Sequence, residues 1–270
     1  MSALESDLAL SATRRSQTWS ARVPLLLKQA ALMALIVLLW QYVLAPVAGT
    51  NWVGQPSLVV EKLAAWIANG DLLWHLAATL ESAAVGYSIG ASAAILLAVV
   101  IGSSYRLDAV SRPFVTAGYS LPKEVIAPVF IILFGIGLGA KIALASISVF
   151  FIVYQNAVSG VRLVDRDLVN VMRVMGAGRL QVFFLVTLRS AAPWTLTGMR
   201  IAGRYAFTAV IFGEMLSGNR GLGYLIKYQA NLFEASGVFA ALLSACIVST
   251  LLTTALQALE RLADAWRMPE

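Results

Sequence analysis

Long apolar stretches alternate with polar ones along the chain, and several apolar stretches are long enough to cross a bilayer. A membrane-spanning helix needs about 20 mostly apolar residues. The stretches that fit this length lie near Ala30–Val47, Ser82–Tyr105 (beginning near Leu76), Ile142–Val161, Trp194–Leu216 and Ala235–Leu259. The pattern therefore predicts an all-α protein that crosses a membrane several times.

A further span is predicted between residues 113 and 136, although polar residues and prolines interrupt it. Pro122, Pro128 and the adjacent charged pair Lys123 and Glu124 break the apolar pattern. Loosened backbone at membrane depth is tolerated only against protein or water. Because the loops alternate sides only if this stretch also crosses, we predict about six spans, the third of them broken by proline.

Composition agrees with a polytopic membrane protein. Of the 270 residues, 59% are hydrophobic and 13% are charged, whereas soluble domains carry about 25% charged residues. The net charge is +6, but its distribution along the chain argues against nucleic acid as a partner. With one histidine, His75, and one cysteine, Cys246, we predict no metal site, no cofactor and no catalytic residues. His75 is expected at the membrane interface.

Positive charges predict the orientation, because cytoplasmic loops are enriched in Lys and Arg. Fifteen of the twenty Lys and Arg residues fall on one side of the six predicted spans and four on the other. Both termini and the segment 165–193 are therefore expected in the cytoplasm. The predicted division is a leader (1–29), a transmembrane domain (30–260) that contains a cytoplasmic segment (165–190), and a tail (261–270).

The outer loop between Gly49 and Trp74 contains a short amphipathic pattern. Ser57 is placed to cap a helix, and an apolar face follows it, formed by Leu58, Val59, Leu63, Trp66 and Ile67. One interpretation is a helix lying flat on the outer membrane surface. A simple connector is the other.

Residues 165–193 combine arginines with an apolar stripe. Asp165 and Asp167 suit a helix N-terminus, and Gly176 and Gly178 suit its end. A second short helix, Arg179–Leu188, is expected next, with Pro193 in the first turn of the following span. The stripe consists of Leu168, Val171, Met172 and Met175. Two interpretations stay open: the stripe docks into the groove of a cytoplasmic partner, or it packs against this chain's own span ends.

A series of short motifs occurs in a fixed order between about Leu107 and Leu225. They are Leu121-Pro122-Lys123, Ala127-Pro128, Phe134-Gly135-Ile136-Gly137, Gly160-Val161-Arg162, Gly176-Ala177, Gly198-Met199-Arg200-Ile201-Ala202, Gly213-Glu214-Met215-Leu216 and Gly221-Leu222-Gly223-Tyr224-Leu225-Ile226. In this order and spacing the chain resembles the integral membrane (permease) subunit of binding-protein-dependent ABC importers, most closely the group that serves sulfonates, taurine and nitrate.

That resemblance implies a type I ABC importer permease (MetI-like) fold in the bacterial cytoplasmic (inner) membrane. The implied function is a translocation pathway for a small solute, with an anionic sulfonate-, taurine- or nitrate-like solute as the candidate. The implied partners are two ABC ATPase subunits, a second copy of this chain, an extracytoplasmic substrate-binding protein and the lipid bilayer. ATP hydrolysis would take place in the ATPase, which agrees with the lack of any Gly-Lys dipeptide, and hence of a Walker A phosphate loop, in this sequence.

In the resembling family, the loop equivalent to 165–190 carries a Glu-Ala-Ala signature and inserts a coupling helix into the ATPase. Here Asn170-Val171-Met172 stands in that place, and Leu188-Arg189 replaces the usual Leu-Pro, while Gly176 is kept. The resemblance assigns ATPase coupling to Asp167, Leu168, Asn170, Val171, Met172, Met175 and Gly176. The altered signature implies an ATPase with a matching, slightly different groove, and the alternative is that coupling is lost altogether.

Polar residues inside membrane spans are costly and are candidates for a translocation pathway. The candidates are Lys123, Glu124, Gln155, Asn156, Arg200 and Glu214. Two other interpretations stay open: Arg200 and Arg204 anchor the cytoplasmic end of their span, and Gln155, Asn156, Ser146 and Ser148 form hydrogen bonds between helices. Glycines at 135, 137, 139, 218, 221 and 223 suit tight turns or hinges.

Two other functional classes compete with the permease. A stand-alone secondary transporter or channel would need no ATPase, and its 165–193 segment would pack on its own bundle. An intramembrane enzyme would need a catalytic pair, which one histidine and one cysteine so far apart in sequence do not supply.

Overall fold

The computed structural model describes residues 25–102 and 104–264, and nearly all of them lie in helices. Within those ranges no β-strand occurs, so the all-α prediction is confirmed. The first half contains α1 (Leu25–Ala48, with a π-helical turn at Trp40–Leu44), α2 (Thr50–Val53), α3 (Pro56–Ala68), α4 (Asp71–Gly102) and α5 (Tyr105–Ser120).

A 3-10 turn at Lys123–Ile126 leads into the second half of the chain. Its helices are α6 (Ala127–Phe134), α7 (Leu138–Arg162), α8 (Arg166–Val174), α9 (Arg179–Val182), α10 (Leu188–Ser217), α11 (Leu222–Asn231) and α12 (Ala235–Asp264). A π-helical turn at Phe183–Thr187 joins α9 to α10 without a break.

In the part of the chain that the structure describes, four helices are long and apolar enough to cross a membrane: α1, α4, α7 and α12. The helix α10, predicted as the fifth span, has 30 residues. It is long enough to cross a membrane, but its charged residues make it less apolar than these four helices. The third predicted span is a pair of helices, α5 and the segment Lys123–Phe134, bent by 85°. The bend follows from Pro122, because the residue before a proline avoids the helical region, and Leu121 is extended with ψ of 132°.

The core forms where α4, α7 and α10 approach each other closely at small residues. A Cβ atom at Gly90 of α4 would lie 2.3 Å from the carbonyl oxygen of Ser146, and one at Gly198 of α10 would lie 2.6 Å from Cβ of Asn156. Small residues of this kind let backbones approach in membrane helix bundles. Ala94, Ala157 and other buried small and β-branched residues fill the space between the three helices.

The helix α1 lies at the edge of this bundle. Nearly all its side chains are exposed, and Ala45 is the single buried residue of its described length. Near its end, the Trp40 indole N–H donates to the carbonyl oxygens of Val53 and Gly54, at 3.3 and 3.2 Å. The predicted boundary at residue 29 falls inside α1, and most of the leader, residues 1–24, lies outside the described residues, as does the tail from 265 to 270.

The helix in the outer loop exists, but it packs on protein. It is α3, and its buried residues Val59 and Trp66 contact Ala240 and Ala241 of α12. Leu58 and Ile67 of the same apolar face stay exposed, so a location at the outer membrane surface stays a prediction for this helix. Ser57 does not cap it, because its backbone N–H and its hydroxyl oxygen are both bound by the amide of Gln41.

Candidate coupling segment and buried polar residues

The helix α8 has a well-formed cap at each end. The Asp165 carboxylate accepts a hydrogen bond of 2.8 Å from the backbone N–H of Asp167, which confirms the predicted cap. At the other end Gly176 has φ of +83°. Its N–H donates to the carbonyl of Arg173 and the next N–H, of Ala177, donates to that of Met172, the pattern of a Schellman motif.

Gly178 does not end this helix, contrary to prediction. Its φ is −70°, which any residue adopts, and it immediately precedes α9. Its N–H donates to the side-chain oxygen of Gln181 at 2.8 Å. Gly178 thus belongs to the start of the next helix.

The apolar stripe of α8 is open to its surroundings. No residue of the helix is buried, Val171 is 53% exposed and Met175 is 79% exposed. Leu168 is similarly exposed, and Met172 is half-buried. Val174, which the sequence pattern did not select, is 89% exposed. The chain's own span ends do not cover the stripe, so the structure does not show self-packing.

The second short helix does not stop before the following span. Helix α9, the π-helical turn and α10 form one uninterrupted helical path from Arg179 to Ser217. Pro193 lies inside α10, so the expectation that it begins a new helix is wrong. This continuous path begins at Arg179, after the turn at Gly176 that ends α8.

Two polar candidates, Lys123 and Gln155, share one face of the bundle. Lys123 donates to the carbonyl of Tyr119 at 2.9 Å, and its ammonium lies 5.9 Å from the ring centre of Phe151. Gln155 is exposed one turn further along α7. Among the described residues no carboxylate forms an ion pair with Lys123. Glu124, beside it, is half-buried in the same 3-10 turn.

The polar residues of α7 hydrogen-bond within their own helix. The Asn156 amide donates to the carbonyl of Ile152 at 2.8 Å. The hydroxyls of Ser146 and Ser148 likewise donate to carbonyls four residues earlier. Among the described residues, none of these three side chains forms the expected hydrogen bond to another helix.

Arg200 has a specific partner on another helix. Its guanidinium lies 2.9 Å from the carboxylate of Glu260 in α12, and the other oxygen of that carboxylate accepts a hydrogen bond from Thr197 at 3.0 Å. Sequence reasoning missed Glu260, because 60 positions separate it from Arg200. Glu260 thus offsets the positive charge of Arg200. Arg204 is exposed, with its guanidinium over the ring of Tyr205.

Glu214 lies in a closed network at the end of the bundle opposite α8. It is fully buried, and its carboxylate accepts hydrogen bonds from the Thr79 hydroxyl and from the backbone N–H of Gly223, both at 2.9 Å. The Thr79 hydroxyl oxygen also accepts from the N–H of Leu222 at 2.9 Å, and Nδ1 of His75 accepts from that of Gly221 at 3.0 Å.

Three consecutive N–H groups that begin α11 are therefore held by side chains of α4 and α10. His75 is buried and stacks on Tyr224, so the expectation of an interfacial histidine is wrong. Lys141 is also buried and donates to the carbonyl of Arg220 at 3.3 Å. Gly221 has φ of +113°, and a Cβ there would lie 2.0 Å from the Glu214 carboxylate. Glycine is required at that position.

An ion cluster at the α8 end of the bundle escaped sequence reasoning altogether. Asp108 of α5 is buried and lies between the guanidinium groups of Arg162, at the end of α7, and Arg112. The described residues contain no cluster of His, Cys, Asp or Glu that could hold a metal ion.

Comparison with known proteins agrees with this architecture. The family model described as the binding-protein-dependent transport system inner membrane component matches residues 86–265. The chain is 31% identical to an Escherichia coli permease named for aliphatic sulfonate transport, over 86% of this chain and 88% of that one. It is 26% identical to the Escherichia coli taurine transport system permease, over 95% of both chains.

Other relatives carry different substrate names. The formylaminopyrimidine transport permease of Halalkalibacterium halodurans is 29% identical over 80% of this chain and 88% of that one. Among solved structures, an inward-facing MetNI methionine ABC transporter matches with a TM-score of 0.57 and 20% identity, covering 73% of this chain and 95% of that one. This match shows a shared fold.

Proposed function

Because the chain belongs to the family of inner membrane components of binding-protein-dependent transport systems, we propose how this ABC importer permease couples to its ATPase and moves its solute. The permease carries the solute across the membrane, and a separate subunit hydrolyses ATP. The observation that supports the proposal most strongly is the exposed apolar stripe on α8, capped at both ends and held outside the core of the bundle.

The ATPase covers this stripe. Asp167 and Asn170 lie on the polar side of α8, and Leu168, Val171, Met175 and the half-buried Met172 form its apolar side. An amphipathic helix uses such residues as anchors in a partner's groove. Gly176 fixes where the helix ends, because its positive φ disfavours other residues. Val174, the most exposed apolar residue of α8, lies on the same side as Asp167 and Asn170, and it contributes an apolar contact beside them.

Two copies of the permease and two ATPase subunits make up the membrane complex, and an extracytoplasmic binding protein delivers the solute. The α8 end faces the cytoplasm, as the excess of Lys and Arg on that side indicates. The solute passes between the two permease copies, along the face that bears Lys123 and Gln155. Both side chains are accessible on the surface of the single chain, which supports a pathway between copies.

The solute is a small anion. Lys123 supplies a positive charge in a proline-broken span, whereas Glu260 already offsets the charge of Arg200. Relatives named for aliphatic sulfonates and taurine fit such a solute, although the relative named for formylaminopyrimidine shows that similar permeases serve other compounds. Measuring which small molecule stays bound to the purified cognate binding protein tests this assignment.

Docking is tested by placing aspartate in the stripe. Val171→Asp, alone and with Met172→Asp, puts a charge where an apolar groove must close, so both variants should insert into the membrane but lose the co-expressed ATPase on purification. Leu232→Asp is the matched control: Leu232 is 55% exposed, against 53% for Val171, and lies at the opposite end of the bundle. Undiminished co-purification of the ATPase with the double variant would contradict the docking role.

A second experiment separates the ABC importer from a stand-alone secondary transporter. In proteoliposomes that hold the permease, the ATPase and the binding protein, uptake of taurine or another sulfonate should require ATP on the side of the membrane where the ATPase is bound. Uptake by the permease alone, driven only by an ion gradient, would favour the stand-alone transporter instead.

A further inference from the structure

The Asp108 carboxylate joins two helices at the α8 end of the bundle. Arg162 presents its guanidinium to Asp108 in a fork: Nε donates to one carboxylate oxygen at 3.1 Å and Nη2 donates to the other. Arg112, one turn along α5, donates to the first oxygen at 2.9 Å. Two-pronged contacts between arginine and carboxylate are strong and fix the relative orientation of the groups.

Asp108 is also a buried point of attachment for α5. The helix exposes most of its apolar side chains, with Val110 at 68% and Phe114 at 74%. In its described residues Asp108 is the one that is buried. At the other end of α5 the backbone of Gly118 lies against the ring of Phe151, a contact without directional bonds. The pair with Arg162 is therefore a charged, directional link between α5 and α7, and a hydrogen bond between Ser111 of α5 and Tyr154 of α7 lies beside it.

Arg162 lies just before α8, and Asp108 lies at the start of α5. Arg162 is the last residue of α7, three residues before the Asp165 cap of α8. Asp108 lies in the first turn of α5, the helix that bends by 85° into the segment Lys123–Phe134. The ion pair therefore connects the segment proposed to contact the ATPase with the segment that carries Lys123.

We propose that Asp108 is a positioning residue that transmits the movement of α8 to α5 through Arg162. When the ATPase displaces α8, the end of α7 moves with it, and the fork contact makes the first turn of α5 follow. The bent segment bearing Lys123 then changes position relative to α7. This inference rests on the proposed function, because it requires an ATPase at α8.

The test measures an ATP-dependent distance that needs no transported solute. Spin labels are attached to cysteines replacing Val110 in α5 and Leu251 in α12, both exposed, in a Cys246→Ser background. The full complex of permease and ATPase is compared with and without ATP and orthovanadate. Asp108→Asn should bind the ATPase and hydrolyse ATP while losing the ATP-dependent change in this distance.

Two further variants exclude a merely structural explanation. The charge exchange Asp108→Arg with Arg162→Asp should restore the distance change. Arg106→Gln removes a positive charge from an exposed position of the same helical turn and should leave the change intact. Asp108→Asn with an undiminished distance change, or a folded charge exchange that fails to restore it, would overturn the inference.

Failure of the proposed function has a different signature. If the labelled complex that retains Asp108 and Arg162 shows no ATP-dependent change, or fails to bind the ATPase, the coupling itself is absent and the inference falls with it. If the complex that retains Asp108 and Arg162 shows the ATP-dependent distance change, and Asp108→Asn shows the same change, only the role of Asp108 is overturned.

Discussion

At the scale of single residues, the ionisable groups in the membrane-spanning helices form specific contacts. Sequence alone identified Arg200 and Glu214, because charged residues are rare in spans. It did not identify their partners, Glu260 and Thr79, since those lie 60 and 135 positions away along the chain. A charged residue inside an apolar span can be recognised from its neighbours in sequence. Its role depends on which distant helices pack against it.

Glu214 is expected to stabilise the fold by holding the start of α11. Replacing it with leucine leaves the buried N–H of Gly223 without its acceptor, which costs about 1–3 kcal/mol, and leaves the Thr79 hydroxyl with the His75 carbonyl at 3.3 Å in place of the carboxylate. Glu214→Leu should therefore lower the unfolding temperature of the detergent-solubilised protein.

Glutamine is the matched control, because its amide oxygen can still accept the Gly223 N–H. Glu214→Gln should retain much of the stability that Glu214→Leu loses. Equal unfolding temperatures for Glu214→Leu and the unsubstituted protein would show that the network contributes little. A solute-specific transport defect in Glu214→Gln, with normal stability, would instead favour the pathway assignment made from the sequence.

At the scale of helices, periodicity and capping residues predicted much of the structure. The predicted apolar stretches correspond to α1, α4, α7 and α12. As expected, Asp165 caps the start of α8 and Gly176 follows its end. The errors came where tertiary context prevailed over local preference. Pro193 is a typical first-turn residue, yet it lies within α10, because the helical path through α9 does not stop before it.

The cap at Asp165 gives a prediction for α8. Asp165→Ala removes the acceptor of the Asp167 N–H, and losing an N-cap costs about 1 kcal/mol. The amides in the first turn of α8 should then exchange hydrogen for deuterium about fivefold faster, and the ATPase should bind more weakly. Arg166→Ala serves as the control, because it lies next to the cap without forming it. Unchanged exchange in Asp165→Ala would contradict a stabilising cap.

At the scale of the whole molecule, the family resemblance read from the sequence is confirmed by the match over residues 86–265. The resemblance predicted the class of fold, but not which glycines allow helices to touch. Gly160 and Gly198 stood among the family motifs as sequence signals. The structure explains why glycine stands at these two positions, because a side chain at either one would collide with the facing helix.

Gly90 provides the sharpest test of this packing. A Cβ there would lie 2.3 Å from the Ser146 carbonyl oxygen and 2.9 Å from Cβ of Val149, so α4 and α7 must separate to accept it. Overpacking of a well-filled core costs about 1–3 kcal/mol. Gly90→Val should lower the unfolding temperature and the yield of monodisperse protein.

The control for Gly90→Val lies on the same helix. Ala84 faces away from α7 and is exposed, so Ala84→Val adds apolar volume without pushing the helices apart and should leave stability nearly unchanged. If the two valine variants unfold at the same temperature, close contact between α4 and α7 does not limit stability. If only Gly90→Val is destabilised, the tight contact between α4 and α7 limits how stable the bundle can be.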